Sequence, residues 1–433
     1  MNASSYRKFL LLLLQVILAA NYLDGLALGL VLQSIKHDLR LSDSQLGFSS
    51  GMAFALFYSV MGLPIARWAD RGNRVTIISL TATVWSVMVA LCGFATSFVQ
   101  LLCLRVGVGI GEAGCIPPAH SLIADYFTRA ERPRAVSIYM LGNSMAVVIG
   151  YLFAGWLNEW YGWRVTFAVL GVFGLVPALL AWMTLREPRK AGWMQRGRGA
   201  GAVGEEASTP ALAEVGRVLA GNQTFRHLLY AFAVVYFFGN GIAQWQPAFF
   251  IRSFGLTTGR LGNWFALIYG VGGLVGTYWG GVLASRFAAS NERRQLLWMA
   301  IAYVIYGVSA ALVYVMPTLT AAFSCMACAA VVGSMTTGPL FSTLQSLIPE
   351  RMRAISIAIV YFFANLIGLG LGPWVTGILS DHLHAWAGEE SLRYALLSLS
   401  PGFLWVAWHL WRASRSVMGD LPVQAGRTTG SGG

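Results

Sequence analysis

Apolar segments long enough to cross a lipid bilayer recur along the whole of this chain of 433 residues. A membrane-spanning helix needs about 20 mainly apolar residues to cover roughly 30 Å of hydrocarbon. Only 11 % of the residues are charged and 56 % are hydrophobic, so lipid must surround much of the surface. The pattern predicts an all-α membrane protein with twelve transmembrane helices. They are expected at residues 9–32, 45–66, 75–96, 98–125, 135–156, 164–185, 226–251, 260–284, 296–316, 318–347, 354–380 and 392–411.

The first apolar segment begins like a secretory signal peptide, because Arg7 and Lys8 precede the run that starts at Phe9. The run continues to Leu32 with Asp24 as its only charge. That is well beyond the roughly 7–15 apolar residues of a signal peptide. We therefore expect the segment to be retained as the first transmembrane helix.

Lysine and arginine residues are unevenly divided between the two sides of the predicted membrane domain. If the N-terminus is cytoplasmic, 23 of the 30 fall in cytoplasmic segments, 6 fall outside, and Arg105 lies within a helix. Cytoplasmic loops carry such an excess of positive charge, so both termini are expected in the cytoplasm. The net charge of +12 has the same source and requires no nucleic-acid partner.

Metal, nucleotide and enzymatic chemistry find little support in the sequence. Cys325 and Cys328 form a CxxC pair, but no second pair or nearby histidine accompanies them, which favours packing over a metal site. The six histidines are scattered and no Walker motif occurs. We expect no cofactor, no metal ion and no enzymatic activity.

The two halves of the chain repeat a common pattern. Residues 131–138 read Glu-Arg-Pro-Arg-Ala-Val-Ser-Ile, and residues 350–357 read Glu-Arg-Met-Arg-Ala-Ile-Ser-Ile. Both stretches precede the fifth helix of a predicted set of six, which is the arrangement of a parallel repeat. The expected organisation is an N-terminal six-helix bundle (1–185), a flexible cytoplasmic linker (186–225), a C-terminal six-helix bundle (226–415) and a disordered tail (416–433).

Two motifs link the chain to a known family. Residues 66–74, Ala-Arg-Trp-Ala-Asp-Arg-Gly-Asn-Arg, resemble the loop between the second and third helices of the major facilitator superfamily. The run from Arg105 through Glu112 to Gly114, followed by residues 124–127 and 132–135, resembles a bacterial member of the Spinster family. The resemblance implies the major facilitator fold, alternating access between two bundles, and location in a bacterial inner membrane. The Spinster family includes exporters of sphingosine phosphate and lysophospholipids.

Three ionisable residues lie well inside the predicted helices, namely Asp24, Arg105 and Glu112. A charge at the centre of a membrane helix costs about 2.5–3.5 kcal/mol on insertion scales, so these residues are candidates for function. Asp24 and Arg105 are expected at similar depths, about 12 and 10 Å from the outer ends of their helices. Glu112 follows Arg105 by two turns on nearly the same helical face.

The chemistry of these three groups suits proton-coupled binding of an anion. A guanidinium can hold a carboxylate or a phosphate, and a buried carboxylate can exchange a proton as its surroundings change. The alternative is a static ion pair that fixes the first helix against the fourth. The corresponding stretch of the second half, residues 324–338, carries no charge, which favours function. The resemblance also implies that these positions couple protons and bind substrate.

The second half offers neutral polar and aromatic residues as the opposite wall of a cavity. The candidates are Asn240, Gln244, Trp245, Tyr269, Thr337, Tyr361 and Asn365. Each could instead serve in hydrogen bonding between helices. A charged first half that faces an aromatic second half suits a small amphiphilic or anionic substrate. An organic-anion importer or a drug exporter of the same superfamily is the alternative.

The resemblance further implies a cytoplasmic gate at Asp70, Arg71 and Arg74, with Arg134 and Arg353 as matched partners in the two repeats. The arginines alone could be explained as topology charges, whereas Asp70 could not. The expected partners of the protein are therefore its substrate, protons and membrane lipids, and we expect a monomer.

Overall fold

The computed structural model describes residues 3–189, 212–287, 291–348 and 352–420, which are almost entirely helical and contain no strand. Ten helices among them are long and apolar enough to cross a membrane. The helix Arg132–Thr184 contains two spans, because Gly162 breaks it with a φ of 81°, a value that glycine adopts readily. The run Ile355–Asp420 also contains two spans, separated by Gly388 with a φ of 56°. The prediction of twelve membrane helices is thus confirmed.

We label the twelve spans α1 to α12. They are α1 (Ala3–Leu39), α2 (Asp43–Arg71), α3 (Arg74–Cys92), α4 (Phe98–Tyr126), α5 (132–161), α6 (163–184), α7 (Gln223–Phe254), α8 (Thr258–Arg286), α9 (Glu292–Val315), α10 (Leu319–Ser346), α11 (353–387) and α12 (391–420).

The twelve spans form two six-helix bundles. In the N-terminal bundle α1 packs on α5 and α3 packs on α6, while in the C-terminal bundle α12 packs on α7 and α9, and α8 packs on α10. Small residues allow these close approaches. An added Cβ at Gly171 of α6, for example, would lie 2.5 Å from the Ser86 carbonyl oxygen of α3. Close backbone approach through small residues is the usual basis of helix packing in membranes.

The two bundles touch through α2 against α11 and through α5 against α8. A π-helical turn, Phe48–Met52, follows the first α-helical residues of α2 (Asp43–Gly47) and faces another, Ala364–Leu371, in α11. An added Cβ at Gly51 would lie 2.6 Å from the Gly370 carbonyl oxygen. These contacts lie at the end of the molecule remote from the chain termini, which we call the closed end.

The expected boundaries of the linker and the tail need correction. Residues 190–211 and 421–433 lie outside the described residues, but Leu212–Gly221 form a short helix within the expected linker. The last helix continues to Asp420 rather than ending before residue 416. The reason is a long-range contact, because the Asp420 carboxylate accepts hydrogen bonds from the Thr224 backbone N–H and hydroxyl, both at 2.7 Å. A carboxylate at a helix N-terminus satisfies unpaired N–H groups and the helix dipole.

We predict that Gly51→Ala weakens the contact between α2 and α11. The new methyl group would meet the backbone of α11, which cannot rotate away as a side chain can, and such overpacking costs about 1–3 kcal/mol. Double electron–electron resonance between spin labels at positions 40 and 384 should show longer distances at the closed end. Gly62→Ala in the same helix, where an added Cβ meets nothing within 4 Å, is the control. Equal distance distributions for the two variants would contradict the prediction.

Candidate functional site

Asp24 of α1 and Arg105 of α4 form an ion pair inside the N-terminal bundle. Arg105 Nη1 donates to Asp24 Oδ2 at 2.6 Å, and both side chains are 2 % exposed. The guanidinium also lies 5.3 Å from the ring centroid of Phe54 in α2. The structure therefore brings together two of the three charged residues that the sequence singled out, and their depths match as expected.

Glu112 lies two turns along α4 from Arg105 and is buried. Its carboxylate makes no hydrogen bond with any residue that the structure describes. The regular helix ends at Glu112 and resumes at Ile116. Glycines on both sides of Glu112 let this part of α4 pack directly on α3, since an added Cβ at Gly111 would lie 2.6 Å from Trp85. The interruption places a buried acid at the point where the regular helix breaks.

Several buried polar atoms near the ion pair lack partners among the described residues. They include Asp24 Oδ1, Arg105 Nε and Asn21 Nδ2. Asn21 precedes Asp24 by three residues, so the two share one face of α1. Sequence reasoning missed Asn21, although its spacing from Asp24 could have indicated it. Buried polar groups are seldom left unpaired without a reason, and a bound polar group could pair with them.

A cavity of about 310 Å³ opens in the C-terminal bundle between α7, α9 and α10. Its wall includes two of the predicted lining residues, Asn240 and Thr337, together with Tyr236, Tyr303 and Tyr306. The three tyrosines were not among the sequence candidates. The lining is aromatic and uncharged, in contrast to the Asp24–Arg105 pair of the other bundle.

The remaining lining candidates occupy different positions. Tyr361 stacks on Phe341 of the cavity wall, with ring centroids 5.5 Å apart. Tyr269 donates to Gln246 and stacks on Tyr151 of α5 at 6.1 Å. The prediction that Trp245 lines the cavity is wrong for this structure, because Trp245 is fully buried and donates to the Pro373 carbonyl oxygen at 2.8 Å.

The last two candidates lie nearer the contact between the bundles. Gln244 Nε2 is buried without a partner among the described residues, and it faces Gly29 of α1. Asn365 is half-buried within the π-helical turn of α11. Both side chains thus lie on helices that meet the N-terminal bundle.

The closed end contains a buried charge cluster that sequence analysis did not identify. Arg252 of α7 donates through Nη1 and Nη2 to the two Asp43 carboxylate oxygens at 2.7 Å, and Lys36 and Ser380 also donate to this carboxylate. The Asp381 carboxylate in turn accepts the backbone N–H of Asp43 at 3.0 Å. Asp43 is 1 % exposed. In the sequence Arg252 is one of the six basic residues expected on the outer side of the membrane, and the capping box that Ser42 and Gln45 form around Asp43 was the available signal.

Hydrogen bonds between the bundles occur, within the described part of the chain, only toward the closed end. Besides the Asp43 cluster they join α5 to the start of α8. There Asn158 donates to Thr258 at 3.2 Å, and Gly259 N donates to Glu159 at 2.7 Å. The opposite end, which carries the termini, has no such bond among the described residues. The α10 residues that line the cavity, 333–341, lie in the half of that helix nearer this end.

The expected gate residues lie at the end that carries the termini. Arg74 is fully buried and pairs with Glu187 and Asp125 and with Ser121, all in the N-terminal part of the chain. The Asp70, Arg71 and Arg134 side chains are exposed, and the Asp70 carboxylate has no hydrogen-bond partner in the described residues. The side chain of Arg353 lies outside the described residues. Arg74 thus holds the N-terminal bundle together in this structure rather than reaching across to the other bundle.

Comparison with known proteins identifies the family. The sequence profile described as Major Facilitator Superfamily matches residues 14–373. An MFS-type efflux pump of Mycolicibacterium smegmatis is 30 % identical over 94 % of this chain and 92 % of its own length. Protein spinster homolog 1 of Xenopus tropicalis is 24 % identical over 87 % of this chain and 74 % of its own length. A crystal structure of a bacterial homologue of the human lysosomal transporter Spinster, inward-facing and unoccupied, is 30 % identical. The structural alignment covers 97 % of this chain and 99 % of the homologue's chain, with a TM-score of 0.86.

We predict that Glu187→Gln destabilises the protein at neutral pH and matters less in acid. Burial raises the pKa of the Glu187 carboxyl, but the hydrogen bonds and charge of Arg74 outweigh burial, so the pKa lies below its ordinary value. A lowered pKa contributes stability that is present above the unfolded-state value of about 4.3 and is lost as pH falls through the folded-state value. We expect a loss of about 1–3 kcal/mol at pH 7, the usual cost of a charged hydrogen bond.

The measurement is thermal unfolding in detergent from pH 7 down to pH 3.5. The difference between wild type and Glu187→Gln should shrink as the pH falls below about 4. Glu131→Gln is the control, because Glu131 also pairs with an arginine, Arg7, but is exposed, and it should change the unfolding temperature much less. A difference for Glu187→Gln that is constant across this pH range would contradict the prediction.

Proposed function

Because the chain belongs to the Major Facilitator Superfamily and resembles its Spinster members, we propose that it carries a small amphiphile of the lysolipid or sphingosine-phosphate type, coupled to protons. It is a multi-pass membrane transporter. The amphiphile, the protons and the roles of individual residues are the proposal. The observation that carries it is the contrast between the two bundles, one with a buried ion pair and unpaired polar atoms, the other with an uncharged aromatic cavity.

The proposed head-group site is the surroundings of Arg105 in the N-terminal bundle. Arg105 Nε, Asp24 Oδ1 and Asn21 Nδ2 are buried without partners among the described residues. An anionic head group could accept from the two nitrogen donors, and a hydroxyl or ammonium of the same head group could donate to Asp24. This donor and acceptor set suits a zwitterionic or hydroxylated phosphate better than an apolar drug.

The proposed tail site is the aromatic cavity of the C-terminal bundle. Its volume of about 310 Å³ and its wall of tyrosines and phenylalanines suit an acyl or alkyl segment. The polar atoms at the wall, on Asn240 and Thr337, are few. A substrate that reaches from Arg105 to this cavity would contact both bundles, as alternating access requires.

Glu112 is the proposed proton carrier. A buried carboxylate without hydrogen-bond donors is costly to hold as an anion, so a proton on Glu112 removes that cost. When the surroundings of Glu112 open to water, water solvates the carboxylate anion and the proton can leave. Asp24, by contrast, already pairs with Arg105 and is the proposed partner of Arg105 in the absence of substrate.

In the proposed transport cycle, the two ends of the molecule close in turn. The charge distribution favours cytoplasmic termini in a bacterial inner membrane, so the closed end would face outward and the cavity inward in this structure. The two bundles, joined through residues 186–222, would rock against each other until the opposite end closes. Asp70, Arg71, Arg134 and Arg353 are then the proposed gate residues at the cytoplasmic end.

A drug exporter of the same superfamily is the second candidate. It is favoured by one observation, the 30 % identity to the mycobacterial efflux pump over nearly the whole of both chains. An uncharged compound would have no need of Arg105. A transport screen that includes both lysolipids and drugs therefore separates the two proposals through the Arg105→Ala variant, which should abolish transport only of anionic substrates.

We predict that Glu112→Gln abolishes proton-driven accumulation while substrate binding stays measurable. Glutamine resembles the protonated carboxyl but cannot release a proton. The measurement is uptake of a fluorescent lysolipid into proteoliposomes with and without an imposed pH gradient. Wild type should concentrate the lysolipid only with the gradient, and Glu112→Gln should only equilibrate it.

Glu131→Gln is the matched control, because it removes a carboxylate from the same bundle at an exposed loop position. It should accumulate lysolipid as wild type does. If Glu112→Gln accumulates lysolipid to the wild-type level under the same gradient, Glu112 is a structural residue and the coupling proposal is wrong.

We predict opposite conformational effects for the acids at the two ends of the molecule. Asp43→Asn leaves Arg252 and Lys36 without their shared counter-charge and should favour opening of the closed end, by about 1–3 kcal/mol. Asp70→Asn should favour the conformation in this structure, because the proposed latch forms only when the cytoplasmic end shuts. Spin labels at positions 40 and 384 report the difference.

Asp38→Asn is the control for both variants. Asp38 lies at the same end as Asp43, but it pairs with Arg164 and accepts from Trp163 within its own bundle. Its variant should keep the wild-type distance distribution. If the distance between the labels shifts in the same direction for Asp43→Asn and Asp70→Asn, the proposal that these acids stabilise opposite conformations is wrong.

A further inference from the structure

An apolar groove runs along the outer surface of the C-terminal bundle between α9 and α12. Its volume is about 380 Å³, and its lining includes Leu297, Ile301, Val304, Leu404, Trp408 and Trp411. We call it the α9–α12 groove. It is separate from the proposed substrate site, because Tyr303 and Tyr306 of α9 face the inner cavity while Ile301 and Val304 lie on the opposite face of the same helix.

Four arginines surround one end of this groove. Arg293 and Arg294 precede Leu297 by four and three residues, which places them one turn below it on the same face of α9. Arg415 stacks over Trp411 at 3.7 Å, and Arg412 lies 6.0 Å from the ring of Trp408. Because α9 runs away from the end that carries the termini and α12 runs toward it, both pairs lie at that end. With the adjoining Glu292 they leave a local charge of +3.

The groove continues from the arginines into the depth of the membrane. From Leu297 to Val304 the helix rises by about 10 Å, which is roughly a third of the hydrocarbon thickness. Trp408 and Trp411 lie where the basic end passes into the apolar part, and tryptophan is enriched at the boundary between head groups and acyl chains. The arrangement is a cationic mouth followed by an apolar channel open to the bilayer.

We propose that the α9–α12 groove binds an anionic phospholipid of the leaflet on the side of the termini. The four arginines would hold the phosphate, and the groove would hold the first part of an acyl chain. Basic pockets between membrane helices bind anionic head groups in this way. A soluble anion would not need the apolar groove, and a zwitterionic lipid would not need four cations. The assignment to the cytoplasmic leaflet rests on the proposed orientation of the protein in the membrane. The proposed lipid binding itself does not depend on that orientation.

Lipid binding can be measured without any transport assay. The purified protein in detergent is mixed with equal amounts of phosphatidylglycerol and phosphatidylcholine that carry the same acyl chains, and native mass spectrometry counts the lipids retained. Wild type should retain phosphatidylglycerol in preference. The double variant R293Q/R294Q should bind it roughly 30-fold more weakly, since each arginine at a lipid surface contributes about 1 kcal/mol.

Two matched controls separate the groove from general surface charge. R129Q/R132Q removes the same charge from the N-terminal bundle at the same end, at exposed positions, and should keep wild-type retention. Ile301→Trp fills the groove without changing charge and should lower retention, whereas Leu274→Trp, at an exposed position on α8, should not.

Four results would overturn the proposal. They are equal retention of the two lipids by wild type, equal loss in the two double-arginine variants, full retention by Ile301→Trp, and a dimer that Ile301→Trp abolishes, which would make the groove a protein interface. None of these results bears on the lysolipid assay, so failure here leaves the transport proposal to its own test.

Discussion

The Asp43 carboxylate joins the two bundles at the closed end of the molecule. It takes hydrogen bonds from Arg252, Lys36 and Ser380 while almost completely buried. Removing a charged group from water costs several kcal/mol unless partners replace the lost solvation, and here three donors do so. The cluster can exist only when α2, α7 and α11 meet. Its formation therefore favours the arrangement in which this end is closed, and the other end has no comparable bonds between the bundles among the described residues.

The two bundles share a helix order but differ in their chemistry. The N-terminal bundle buries Asp24, Arg105 and Glu112, and glycines in α4 let this helix lie against α2 and α3. The C-terminal bundle has instead a cavity lined by tyrosines and phenylalanines with Asn240 and Thr337. A repeat that only stabilised the fold would not need this difference. The proposed amphiphile, with one polar and one apolar part, fits this contrast.

The proposed lipid groove and the inner cavity lie on two faces of one helix. The groove between α9 and α12 and the inner cavity share α9, with Tyr303 and Tyr306 on one face and Ile301 on the other. The end of α12 is in turn held to α7 through Asp420 and Thr224. Occupation of the outer groove would thus bear on the helices that form the inner wall.

The sequence alone determined the number of spans, the two-bundle fold and the approximate depth of Asp24 and Arg105. These follow from local properties, because segment length, hydropathy and helical rise are fixed by the residues themselves. The family followed from the motifs at residues 66–74 and 105–114, and the profile match confirms it. The extension of α12 to Asp420 was not predicted, since a contact with a residue 196 positions away leaves no local signal.

Only the tertiary structure decided which polar residues meet. Arg252 reads in sequence as one more charge beyond a membrane helix, yet it is the partner of Asp43, 209 residues away. Trp245 reads as a cavity residue beside Gln244, but its position on α7 turns it into the bundle, where it bonds to Pro373. Arg74 reads as a gate residue and is instead enclosed by Glu187 and Asp125. In each case helix rotation and packing across the chain set the environment, and a sequence pattern specifies neither.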